Sequence, residues 1–155
     1  MPRTTIPTSM TSTMATGIPV PASGSKKENI MNSDSVKFIQ DGVFSNIQAA
    51  AHRAGMAALN AAAPRPMVVQ SNATHQQWFV PDGVCGFAWI EFRGNTAWGR
   101  WAKKNGIASK HYPKGLSIWV REGGQSMERK EAYARAYADV LRAAGIEAYA
   151  GSRMD

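Results

Sequence analysis

Apolar residues recur at helical spacing along VKFIQDGVFSNIQAAAHRAGMAALNAAA, residues 36–63. Phe44, Ile47, Ala51, Ala54, Ala58 and Ala62 share one face. Alanine has the best helix propensity of any residue, and Pro64-Arg65-Pro66 stops the helix. The stripe is apolar but built of small side chains, so another helix can approach closely. That helix belongs either to the same domain or to a second copy. Short strands are expected at 67–70 and 76–80. Pro81-Asp82-Gly83 has turn chemistry and would join Gln76–Val80 to Gly86–Phe92 as a hairpin.

The alternation is clearest in Gly86–Phe92, where Ala88, Ile90 and Phe92 fall on one face and Phe87, Trp89 and Glu91 on the other. Asn95 or Thr96 then caps a helix, AWGRWAKK, that Asn105-Gly106 closes. Residues 107–115 read as a loop, and Leu116, Ile118 and Val120 as a second alternating strand. Ser126 caps a long helix with a buried stripe of Tyr133, Ala136, Tyr137, Val140, Leu141 and Ala144. Gly145 ends it, and residues 146–150 form a last strand. Strand–helix–strand units favour parallel neighbours. The expectation is an α/β fold, with α+β as the alternative: a small two-layer sandwich over residues 67–155. An Ala-rich helix and linker (35–66) precede it. Residues 1–34, rich in Thr, Ser, Pro and Met, show neither period and read as a disordered arm.

Charge adds a direction. The formal net charge is +7 over 155 residues, and small basic proteins tend to meet polyanions. One cysteine, Cys85, excludes an intrachain disulfide framework and favours an intracellular setting. The N-terminal stretch has no continuous apolar segment, so neither a secretory signal nor a membrane span is expected.

If the strands run parallel, three segments converge at their carboxyl ends, the usual ligand edge of an α/β sheet. These are Arg93-Gly94-Asn95-Thr96, Arg121-Glu122-Gly123-Gly124-Gln125-Ser126, and Gly151-Ser152-Arg153. Each offers an arginine, suited to forked phosphate contacts, and glycines that let an oxyanion near the backbone. The plain alternative is solvated strand ends neutralised by Glu122, Glu128 and Asp155. No phosphate-binding glycine motif occurs, so no nucleotide cofactor is expected.

Between Phe92 and Arg121 the chain has no Asp or Glu, yet it holds Arg93, Arg100, Lys103, Lys104, Lys110, Lys114 and Arg121. Aromatic residues are interleaved, a combination that suits a nucleic-acid groove with stacking platforms. Trp98, Trp101 and Trp119 are expected in the core, leaving Tyr112 as the exposed candidate. The nucleic-acid contacts proposed from sequence are therefore Arg93, Asn95, Arg100, Lys103, Lys104, Lys110, Tyr112, Lys114, Arg121, Gly123, Gly124, Ser126 and Arg153.

Catalytic chemistry is sparse. His52, His75 and His111 are widely spaced without Cys or Glu at ligand spacing, and Cys85 reads as a small buried thiol. Neither metal nor catalytic residue is expected.

VCGFAWI, GRWAKKNG, LSIWV and the run from Gly124 to Asp155 resemble small uncharacterised proteins of tailed bacteriophages, over residues 80–155. The resemblance implies a bacterial host cytoplasm or a virion, and carries no activity with it. Three readings follow: a non-catalytic protein that uses its basic face on nucleic acid, a virion or assembly protein that uses its arm and Ala-rich helix for subunit contacts, and an inhibitor of a host protein.

Overall fold

A computed structural model describes residues 33–155 of the chain. Of the expected arm, only Ser33 and Asp34 fall within them, and both belong to the first helix. The elements are α1 (Ser33–Ala61), β1 (Met67–Gln70), β2 (Gln77–Val80), β3 (Gly86–Phe92), α2 (Ala97–Lys104), β4 (Ser109–Lys110), β5 (Leu116–Trp119), α3 (Met127–Ala143) and β6 (Ala148–Met154). Thr96 caps α2 by accepting the Gly99 N–H, and Ser126 caps α3 by accepting the Arg129 N–H.

The fold is a mixed α/β sandwich, with α2 and α3 on one face of a four-stranded sheet of order β4-β5-β3-β6. Every neighbouring pair is antiparallel, which corrects the parallel expectation. The reason lies in residues 109–119, read as a loop and a strand, which form a β4–β5 hairpin that reverses the chain before β5. β3 and β4, joined through α2, do run the same way, as do β5 and β6, joined through α3. In each unit another strand lies between the two partners. This doubly split βαβ order is that of ferredoxin-like folds. The Pro81 turn does not make the expected hairpin either: β2 pairs with β1 in a separate two-stranded sheet. β6 runs to Met154, so Gly151, Ser152 and Arg153 are strand residues and not a terminal loop.

The core lies between the sheet and its helices. Ala88, Ile90 and Phe92 from β3 meet Leu116, Ala148, Trp98, Ala102, Tyr137, Ala138 and Leu141. The α1 helix forms an outer layer against α3, with Phe44 reaching the Trp98 ring edge-on at 5.6 Å. Phe44, Ile47 and Ala51 of the expected stripe pack inward, but past Ala51 the contact line is rotated onto Gly55 and Leu59, leaving Ala54, Ala58 and Ala62 half-buried. Tyr133 explains the rotation: its ring lies where a Cβ on Gly55 would stand, 2.7 Å away, and its hydroxyl pairs with His52 Nδ1 at 2.6 Å. The close helix approach foreseen for the stripe is thus used within the domain.

A side chain at Gly55 must displace Tyr133. Gly55→Val is expected to destabilise the fold by about 1–3 kcal/mol, an overpacking cost, read as a lower midpoint in urea. An unchanged midpoint would mean that α1 is not held by this contact. Burial also pushes the Tyr137 phenol up to about 12, and raises Tyr133 through burial first, then through Glu122 and Tyr137. The unfolded phenols ionise near pH 10. The folded state therefore holds these protons more tightly, and the associated stability is complete below about pH 10 and lost as pH climbs toward 12. Base titration of the folded protein should show this decline, with a smaller one for Tyr137→Phe.

Candidate nucleic-acid interface

Where β3 ends and β5 and β6 begin, an open cleft of about 980 Å³ is lined by Arg93, Asn95, Lys103, Lys110 and Lys114. These come from the β3–α2 loop, the last turn of α2 and the β4–β5 hairpin. None is close to all the others in sequence, and the split topology brings them to one rim. Glu91, His111, Glu147 and Tyr149 complete the wall. Four cations thus face two carboxylates. Glu147 holds Arg93 by an ion pair of 3.1 Å and accepts the Tyr149 hydroxyl at 3.0 Å, which raises the Tyr149 phenol. Glu91 pairs with His111 Nε2 at 3.2 Å. The acid-free window of sequence is therefore not acid-free in space, because carboxylates arrive from just before it and from the approach to β6.

The single rim joining Arg93 and Arg121 is not formed. Because β3 and β5 are antiparallel, with Trp89 opposite Trp119 and Phe92 opposite Leu116, Arg93 and Arg121 lie at opposite ends of the sheet. Arg121 and Arg153 share the far end: Arg153 is opposite Phe87, and Val120, just before Arg121, bonds Ala88 O at 3.0 Å. Gly123 is no open cradle, since a Cβ there would meet Leu59 at 3.2 Å and Arg129 at 3.3 Å. Gly124 has open space and a φ of 62°. Ser126 is buried and its hydroxyl is occupied in capping α3, so it does not serve as a ligand. Arg100 folds back to donate to Asn95 O at 2.8 Å. Lys104 and Tyr112 are exposed but do not line the cleft.

The structure adds residues that the pattern of charge along the chain does not reveal. The β3 face opposite the helices carries Phe87, Trp89 and Glu91, and strand register sets Ser117 and Trp119 on one side and Tyr149, Gly151 and Arg153 on the other. No helix layer covers this face, but it is only partly open: Phe87, Trp89 and Glu91 are half-buried, Ser117 is buried, and Lys130 of α3 reaches the Phe87 ring at 5.4 Å. Trp119, expected in the core, is 44% exposed. Phe87, Trp119, Trp89 and His111 form a chain of rings with successive centroid separations of 6.2, 5.3 and 6.0 Å. Trp89 lies flat over Gly151, where a Cβ would come within 2.6 Å of the indole. The Arg153 guanidinium stands 5.6 Å from the Phe87 ring centre. A signal is present in the sequence: Glu91 shares its face with Phe87 and Trp89, and a carboxylate in the alternating pattern marks the solvent side of a strand.

Among the described residues, no group of three His, Cys, Asp or Glu side chains is placed to hold a metal, and no helix is long and apolar enough to cross a membrane. Cys85 is half-buried and free. No family model, curated protein or solved structure matches the chain.

Removing the carboxylate that restrains Arg93 should strengthen anion binding. Glu147→Gln is expected to elute from a heparin column at higher salt than the wild type. Unchanged elution would mean that Arg93 does not contribute to the cleft's attraction.

Proposed function

We propose that this protein binds nucleic acid without catalysis, holding the phosphate backbone in the cleft at the end of the sheet. The observation that carries the reading is the convergence of Arg93, Lys103, Lys110 and Lys114 on one open cleft. Cations so placed neutralise phosphates and release condensed counterions, which supplies affinity without reading sequence. Glu91 and Tyr149 stand both on the cleft wall and on the sheet face opposite the helices, and His111 of the wall abuts Trp89 of that face, so a chain held in the cleft is led onto it. The resemblance of residues 80–155 to phage proteins supports placing this activity in a bacterial host cytoplasm or a virion.

A second reading, contact with other protein subunits, is favoured by the first turns of α1. Val36, Phe38, Ile39 and Val43 are exposed there, Phe38 by 81%. Light scattering that finds only monomers at micromolar concentration removes it.

The first reading is tested by titrating a fluorescent oligonucleotide at several salt concentrations. Binding should weaken steeply with salt. Combining Lys103→Glu, Lys110→Glu and Lys114→Glu should lower affinity at least tenfold and make the logarithmic salt slope shallower by about 2, at roughly 0.7 per contact with a single strand. Wild-type binding that is absent or insensitive to salt rejects the proposal.

A further inference from the structure

We infer that the face of the four-stranded sheet opposite the helices is a stacking platform for unpaired bases, so that the nucleic acid bound is single-stranded and crosses the sheet from one basic end to the other. The inference rests on the function proposed above and adds the substrate class.

Rings and charges are arranged as a track. At one end stand Lys110, Lys114 and Arg93 of the cleft, with Tyr149 exposed beside them. At the other end stand Arg121 and Arg153. Between them lie Trp89, Trp119 and Phe87. Phe87 to Phe92 spans about 17 Å at roughly 3.3 Å per residue, room for about two or three stacked bases. Trp119 and Tyr149 are exposed and Phe87 and Trp89 half-buried, and contiguous aromatic surface that reaches solvent marks an interaction site.

Charge selects the occupant. An apolar protein partner would leave both cationic ends unmatched. A duplex would present phosphates to the ends but bury its bases in its own stack, leaving the rings without partners. A single strand satisfies both, with phosphates on the end cations and base faces on the rings. Stacking of this type tolerates any base, because every base has a π-face. The Trp89 ring is fixed from two sides. Its indole rests on Gly151 and is buttressed by His111, itself paired with Glu91. Trp119, at 44% exposure, offers the freest ring.

The test compares three labelled chains of equal phosphate number at one salt concentration: oligothymidylate, an abasic chain with the same backbone, and a duplex. The thymidylate should bind more than tenfold tighter than the abasic chain and should quench tryptophan emission, which the abasic chain should not do. Trp119→Ala should weaken thymidylate binding by about 5- to 150-fold, the range for one stacked base, while Trp119→Phe keeps most of it. Circular dichroism melts establish that the variants fold, and the wild-type quenching comparison needs no variant. Equal affinity for thymidylate and abasic chains, or tighter binding of the duplex, overturns the platform while leaving the charged cleft standing. Failure of all three to bind overturns both.

Discussion

The two-residue period of β3 divides the four-stranded sheet into a face packed beneath helices and a face partly open to solvent. β3 is bonded by β6 over its whole length and by β5 over Trp89–Phe92, so it cannot rotate or slip without breaking both ladders. Its even-numbered residues, Ala88, Ile90 and Phe92, are completely or almost completely buried beneath α2 and α3. Its odd-numbered residues, Phe87, Trp89 and Glu91, are thereby committed to the other side. A one-residue slip would exchange the two sets and put Glu91 into the core. The placing of these half-buried rings away from the helices is a consequence of the same register that builds the core.

The antiparallel order decides where charge goes. In a parallel sheet the arginines after β3 and β5 would have met at one rim, as a compact anion pocket. With β5 reversed, Arg93 and Arg121 separate by the length of the strands, and the cleft at the β3 end is filled instead by lysines from α2 and the β4–β5 hairpin. One pocket becomes two basic ends joined by an aromatic face. The extended polyanion proposed above suits two separated basic ends better than a single phosphate would. Glu147 and Glu91 moderate the cleft, since each engages a partner there and neither is free to repel a ligand fully.

The α1 layer shows how far composition alone reaches. A helix of alanines and glycine lets a neighbour come close, and the neighbour here is α3, through the Tyr133 ring over Gly55 and the His52–Tyr133 hydrogen bond. The Ala-rich pattern predicts the close approach. It does not predict the partner, because small side chains are equally suited to any helix that brings a flat ring.

Local structure is legible in the chain wherever it depends on neighbours in sequence. Helix starts at Thr96 and Ser126 follow from capping hydroxyls, the strand Gly86–Phe92 from its alternation, and the mixed α/β class from element order. The excess of cations over residues 93–121 is equally plain. Strand direction is not, because it turns on a two-residue strand, Ser109–Lys110, too short to show a period. Nor is the exposure of Trp119, since an aromatic residue in a strand looks the same whether its face is covered or bare. Which rings face solvent and which cations share a cleft depend on pairing between segments tens of residues apart. Hydrogen-bond register and layer packing settle such pairings, and only the tertiary structure contains them.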